Sequence, residues 1–261
     1  MMSLSLFGHS VKAWRQLATT GSTNADALAW AADGAPDMAL ISAEHQSQGR
    51  GRGDHTWLTN PGSGLAFSLI LRPTSKEYQH VKRFTALASI ALVRVLKHNY
   101  GILAQVKWPN DVLIHGKKVA GILVEVNWEG EKPTAMVIGM GVNVTSNSIP
   151  PNEVLNFPAT CIEAEVNSRI DRTSLLRSLI KEIARLRRHL TTPRLIKTWN
   201  RCLVYKNTRV RLHHLSGSNE QVTILGISDD GCLQVRDEND KIRMINAGEL
   251  EITYNENVPI V

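Results

Sequence analysis

The sequence predicts an α+β protein in two parts, a larger unit that mixes helices with strands and a small all-β barrel behind it. Three observations carry this expectation. Val81 to Tyr100, followed by Gly101, reads as a long apolar helix with a glycine C-cap, and the stretch from Arg169 to Arg201 repeats leucine and isoleucine at helical spacing. Apolar runs of strand length lie around Val106, Val112, Ile122 and Val137. After Trp199 the chain changes to short β-like runs separated by tight turns. With 261 residues there is room for one sizeable domain and one small one, divided here as 1–204 and 205–261.

Taken in order, Ser22 or Thr23 is placed to cap a helix running to about Asp33, with Gly34 ending it. Met38 to Glu44 reads as a strand leading into a glycine- and arginine-rich loop, and Leu65 to Leu71 as a strand stopped before Pro73. Asn147 to Pro158 is rich in Pro and Asn and reads as a loop, followed by a short helix near Ala159 to Val166. In the basic stretch, Leu175, Leu176, Leu179, Ile180, Ile183, Leu186 and Leu190 form the buried face of one helix. Arg177, Lys181, Arg185 and Arg188 lie opposite, as a solvated face or as a surface for RNA or an acidic partner. The barrel strands are expected at Arg209–His213, Gln221–Ile227, Cys232–Arg236, Ile242–Ile245 and Leu250–Thr253. Their turns fall at Ser216-Gly217-Ser218, Asp229-Asp230-Gly231 and Glu238-Asn239-Asp240.

Composition excludes several classes. A hydrophobic content of 43% supports an ordinary globular core. No apolar run approaches the ~20 residues that span a bilayer, and the N-terminus has no signal segment. Cys161, Cys202 and Cys232 are scattered, odd in number and free of metal-binding spacing, so they read as thiols in a reducing, cytoplasmic compartment. The net charge of +6 permits nucleic-acid binding without demanding it.

Four clusters carry chemistry. Gly49-Arg50-Gly51-Arg52-Gly53, with Trp57 after it, suits no helix or strand interior. Glycine lets a backbone approach a ligand closely, and arginine offers a planar charged fork for carboxylate or phosphate. The segment is a loop that closes over an anion, a solvated loop, or a short basic arm for RNA. Lys107-Trp108-Pro109-Asn110-Asp111 sits where a turn meets a strand, because Pro109 biases Trp108 away from helix. Asn110 and Asp111 there face a cleft or close an Asx-type turn. Lys118 opens the half-buried strand that includes Gly121-Ile122-Leu123-Val124-Glu125 after a turn at Gly116-Lys117, either reaching a pocket or remaining solvated. Val137-Ile138-Gly139-Met140-Gly141-Val142-Asn143 is an apolar strand broken by two glycines, the mark of a bulge, a kink or close ligand approach.

These motifs, with Ser22-Thr23-Asn24 and Gln46, occur in the order found in biotin protein ligases, and the resemblance spans about Ser22 to Glu249. It implies a mixed-sheet catalytic domain of the biotin/lipoate ligase type with an SH3-like C-terminal barrel. The implied activity is ATP-dependent conversion of biotin to biotinyl-5′-AMP, then transfer to a lysine of a biotin carboxyl carrier protein, a subunit of acetyl-CoA carboxylase or a related carboxylase. Biotin and ATP are the substrates, with Mg²⁺ screening the triphosphate. By the same resemblance Lys118, Arg52 and Asp111 are the catalytic group. Biotin is held by Ser22, Thr23, Asn24, Gln46, Gly49, Arg50, Gly51, Arg52, Lys118 and Gly121. ATP is held by Arg50, Arg52, Trp57, Lys107, Asn110, Lys118 and Asn143, and no residue is assigned as a metal ligand. Asp111 orients the incoming lysine or accepts its proton, or positions Lys118. Only 21 residues precede Ser22, so the enzyme-only form is expected, without a winged helix and without DNA as a partner; no membrane partner is expected, and a homodimer stays open. Gly53-Asp54-His55-Thr56 departs from a stretch often richer in basic residues, which weakens that part of the loop as a phosphate site.

No Walker A motif and no G-x-S-x-G elbow is present. A lipoate or octanoate ligase or transferase is the nearest alternative. A nucleic-acid-binding protein is a different class, opposed by an aromatic content of 5% and the lack of an RRM-like or helix-turn-helix motif.

Overall fold

The computed structural model describes residues 4–58, 60–151, 155, 157–214 and 217–251. Its elements are β1 (Ala13–Thr20), α1 (Thr23–Ala32), β2 (Ala39–Gln46), β3 (Gly64–Leu71), α2 (Arg83–Tyr100), β4 (Ala104–Lys107), β5 (Asp111–Ile114), β6 (Lys117–Glu129) and β7 (Lys132–Asn143). Then follow α3 (Ile162–Val166), α4 (Arg172–Arg187), α5 (Pro193–Cys202), β8 (Arg209–His213), β9 (Asn219–Ile227), β10 (Leu233–Arg236), β11 (Ile242–Ile245) and β12 (Glu249–Glu251).

Strands β1 to β7 make one mixed sheet in the order β1-β2-β3-β7-β6-β5-β4, parallel only between β1 and β2. Alternation along each strand sorts side chains onto two faces. On β7, Met136, Ile138, Met140 and Val142 join the large core beneath α2, α4 and α5. Ala135 and Val137 face α1 with Ala27, Ala31, Ile41 and Ile70, and the next residues on that face are Gly139, Gly141 and Asn143. Apolar packing thus fills one end of the face, while small residues leave the other end open.

Helix α2 ends as expected on left-handed Gly101. Ser22 holds the N-cap position of α1 but makes no capping bond. Three expectations need correction, two of them in the helices. The basic stretch is two helices rather than one, because Pro193 lacks an N–H and begins α5 after a turn at Thr191-Thr192. The short helix starts at Ile162 rather than Ala159, which is bridged to Lys118. The leucines and isoleucines of the basic stretch are buried, Leu190 included, and Lys181, Arg185 and Arg188 are exposed. Arg187 instead turns inward, pairing with Asp37 at 2.7 Å and Glu77 at 3.1 Å.

Strands β8 to β12 form a separate antiparallel sheet in the order β11-β10-β9-β8-β12. The last strand is set one residue earlier than expected, and Ile252 and Thr253 lie outside the described residues, as do Ser216 in its turn and positions 152–154 and 156 in the Asn147–Pro158 loop. Arg83, at the start of α2, clasps this sheet through Asp229 O (3.0 and 2.6 Å) and reaches Leu190 O at 2.9 Å. Asn200 of α5 pairs with both the N–H and the carbonyl of Ile227.

Candidate active site

The open end of the sheet is a cavity of about 810 Å³. Ser22, Thr23 and Asn24 enter it from the start of α1, Gln46 from the end of β2, Lys107 to Asp111 from the β4–β5 turn, and Lys118 and Gly121 from β6. Gly139, Gly141 and Asn143 come from β7, while Arg50, Gly51, Arg52 and Trp57 close it as a loop. Gly49 lies on the outer side of that loop with Gln48 and Gly53. Residues from Ser22 at the start of α1 to Asn143 on β7 thus line one cavity.

At the α1 end the polar groups are interlocked. Gln46 Oε1 accepts from the Thr23 N–H at 2.9 Å, and Thr23 Oγ1 lies 3.0 Å from it. Ser68 Oγ donates to Asn24 Oδ1 at 2.6 Å. Both N–H groups of Asn24 are engaged, by Leu123 O at 3.2 Å and by Glu125 Oε2 at 2.8 Å. The glycines on β7 are required here: a Cβ on Gly139 would collide with the Asn24 amide, and one on Gly141 with the Trp57 indole.

At the other end the charges gather. Lys118 Nζ is 2.7 Å from Asp111 Oδ1 and 5.7 Å from the Trp57 ring centroid. Lys107 stacks its ammonium over Phe157 at 4.2 Å. Burial pushes the Lys107 pKa down; Asp111 opposes this and Lys118 adds to it. Burial likewise lowers the pKa of Arg52, against Glu249 and Asp111. Lys107, Lys118 and Arg52 thus gather in a partly buried corner with Asp111, and Glu249 and Glu251 stand at its edge, so an anion entering there meets cations already partly balanced by carboxylates. Asn110 Nδ2 donates to Ile122 O at 2.9 Å and Asn143 Nδ2 to Thr160 O at 3.1 Å, so both amides brace the walls.

The loop is a tight hairpin: Trp57 N–H donates to Gly49 O at 2.9 Å and Gly51 N–H to His55 O at 2.7 Å. Arg50 pairs with Glu125, and Arg52 Nη1 donates to Gly248 O at 2.7 Å. His55 lies 3.1 Å from Glu249. The second sheet therefore supplies part of the cavity wall, through His213, Glu249, Leu250 and Glu251. Sequence reasoning missed these four residues, and no local pattern marks them. It also gave no role to Glu125, which the Gly121-to-Glu125 motif does place on the same face as Gly121 by strand alternation.

A mixed sheet carrying this pocket, followed by a small antiparallel sheet that seals one side, defines the biotin/lipoate ligase class of protein. Residues 17–143 match the Biotin/lipoate A/B protein ligase family and residues 209–252 the Biotin protein ligase C terminal domain. The chain belongs to the biotin protein ligase family. It is 33% identical over 236 residues to the Bifunctional ligase/repressor BirA of Bacillus subtilis, covering 88% of this chain and 71% of that protein. Identity is 32% over 250 residues to the Biotin--[acetyl-CoA-carboxylase] ligase of Mycobacterium tuberculosis, covering 91% and 89%. The structure of the Biotin protein ligase from Aquifex aeolicus in complex with biotin and ATP superposes with a TM-score of 0.78 at 25% identity, over 92% of this chain and 98% of that one.

Proposed function

We propose that this protein activates biotin with ATP to biotinyl-5′-AMP and transfers the biotinyl group to a lysine of a biotin carboxyl carrier protein, a subunit of acetyl-CoA carboxylase or a related carboxylase. One observation carries the reading most directly: the buried amide cluster around Asn24 and the cation cluster around Lys118 occupy opposite ends of one cavity. The first suits a neutral polar head such as a ureido ring, and the second suits a carboxylate meeting a phosphate.

In the first step a biotin carboxylate oxygen attacks the α-phosphorus of ATP and pyrophosphate leaves. Lys118, Arg52 and Arg50 supply fixed positive charge as negative charge spreads over the phosphoryl oxygens, with no reorganisation of solvent. Lys107 adds to that field, and Asn110 and Asn143 hold the walls of the nucleotide side. In the second step the neutral ε-amine of the carrier lysine attacks the acyl carbon, the bond from that carbon to the AMP oxygen breaks, AMP leaves and the amine proton passes to solvent. Asp111 orients that amine; its ion pair with Lys118 supports a positioning role and leaves its second oxygen to accept a hydrogen bond from the incoming amine. Ser22, Thr23, Asn24, Gln46 and Gly121 line the biotin end, and Gly49 and Gly51 let the loop fold over it. Magnesium arrives with ATP as part of the substrate; among the described residues no group of three His, Cys, Asp or Glu side chains is placed to hold a metal.

Residues 1–204 form the catalytic unit in this reading and 205–261 an SH3-like unit that walls the nucleotide side. In this reading the reaction is cytoplasmic, and the edge strand β1 leaves a homodimer open. No described helix is long and apolar enough to cross a membrane.

The deciding assay is ATP-dependent pyrophosphate release with biotin against lipoate. Release with biotin and not with lipoate is expected. Release with lipoate alone makes the protein a lipoate ligase, and release with neither removes the ligase reading. A second expectation concerns Trp57, whose indole lies against Gly121 and Gly141 where the resemblance lays the ligands. Biotin and ATP should displace the indole and change the intrinsic fluorescence. Trp57→Phe should remove most of that change, and an undiminished change in the variant would place the signal elsewhere.

A further inference from the structure

Glu125 is hydrogen-bonded both to the start of α1 and to the glycine-arginine loop. Strand alternation puts it on the same face of β6 as Gly121 and Leu123, where it lines a second pocket beneath the loop next to the main cavity. One carboxylate oxygen accepts from Asn24 Nδ2 at 2.8 Å and the other pairs with Arg50. We propose, resting on the biotin reading above, that Glu125 is a positioning residue that fixes the hydrogen-bonding sense of Asn24 and at the same time latches the loop, so that the biotin end of the cavity and loop closure are coupled through one carboxylate.

The first half follows from counting donors and acceptors. Asn24 is 4% exposed and has two N–H groups and one oxygen. Leu123 O and Glu125 are acceptors only, so together they claim both N–H groups and leave Oδ1 beside Gly139 of the cavity wall, with the buried Ser68 Oγ using one lone pair. The remaining lone pair can only accept. Asn24 therefore presents an acceptor to an N–H donor on the ligand, such as the ring N–H of a ureido group. Without Glu125 one amide N–H loses its partner and only Leu123 O and Ser68 Oγ hold the carboxamide, which weakens that selectivity.

The second half follows from exposure. The Arg50 and Glu125 side chains are 42% and 26% exposed, and such a pair contributes little to stability. What it does is fix where a glycine-flanked, otherwise mobile arginine rests. Because Asn24 and Arg50 share the carboxylate, ligand contact that rigidifies Asn24 also holds Glu125 in the geometry that receives Arg50.

Kinetics of pyrophosphate release, with biotin and ATP varied separately, test this on wild type, Glu125→Ala and Glu125→Gln, alongside thermal melting and trypsin cleavage after Arg50. Losing a bond to a charged group should raise the biotin KM by about 10–100-fold in Glu125→Ala, with a smaller change in the ATP KM and kcat, which feel Glu125 only through Arg50. Glu125→Gln retains one acceptor oxygen and should fall between the two. Biotin alone should protect Arg50 from trypsin in wild type and not in Glu125→Ala. A biotin KM equal to wild type overturns the proposal, and so does an equal rise in both KM values with a lowered melting temperature. Absence of protection by biotin in wild type overturns the latch. Should Glu125→Ala fail to fold, Glu125→Gln decides, since an unchanged biotin KM in that variant also overturns it. A wild-type protein that releases no pyrophosphate with biotin overturns the underlying reading, and this proposal with it.

Discussion

Lys118→Ala is expected to slow biotin- and ATP-dependent pyrophosphate release by about 10²–10³-fold, the usual effect of removing one group aimed at charge developing in a transition state. The ammonium stands 2.7 Å from Asp111 in a corner whose neighbouring cations, Lys107 and Arg52, are themselves disfavoured by burial. Alanine leaves Asp111 negative beside the place where phosphoryl charge builds. The attraction lost and the repulsion left behind act in the same direction. Lys107 contributes to the same field from its place over the Phe157 ring but is not the cation paired with Asp111. Thermal melting of the variant separates the lost rate from a folding defect, because Lys118→Ala also leaves the buried Asp111 Oδ1 without its ion-pair partner. Lys118→Arg should retain part of the rate by keeping the charge. A Lys118→Ala protein with a near-wild-type rate would remove Lys118 from the chemistry.

The parts of the molecule legible in the sequence are those whose cause is local. Helix α2 announces itself by apolar spacing and Gly101, and β7 by an apolar run whose glycines fall on alternate residues, hence on one face. The loop was legible because Gly49, Gly51 and Gly53 with two arginines fit no regular element. What was not legible depends on distant chain. Strand β1 reads Ala-Trp-Arg-Gln-Leu-Ala-Thr-Thr, with Trp14 and Leu17 three apart, a spacing that is not strand-like; parallel pairing with β2 makes it a strand. The break between α4 and α5 was local, in Pro193, but was outweighed by the run of leucines around it. Glu249 and Glu251 look like ordinary exposed residues of a short edge strand until Arg83 and Asn200 dock their sheet against the catalytic unit. Contacts that close over nearly 200 residues leave no periodic trace in either segment.

The longest of those contacts shapes the expectation for Arg52→Gly. This variant should still form the acyl-adenylate but release it early, so that lysines of unrelated proteins become biotinylated. Two losses combine. The loop loses a cation that binds a phosphate oxygen in the intermediate as well as in the transition state, so dissociation quickens more than synthesis slows. It also loses the bond from Arg52 to Gly248 O, which joins the loop to the second sheet across 196 residues. A glycine there widens the loop's conformational freedom and leaves the cavity mouth untethered. His55 and Glu249 cannot hold it alone, because both are about half exposed and the imidazole must be protonated to carry charge. The released mixed anhydride is an activated acyl donor and reacts with amines without carrier selection. Incubating wild type, Arg52→Gly and Arg52→Lys with biotin, ATP and a lysine-rich protein that is not a carrier separates the two losses. A lysine keeps the charge but not the planar fork, so Arg52→Lys should label the bystander less than Arg52→Gly and more than wild type. Equal bystander labelling by Arg52→Gly and wild type would show that Arg52 neither clamps the intermediate nor keeps the mouth closed, and would return the loop to a solvated hairpin.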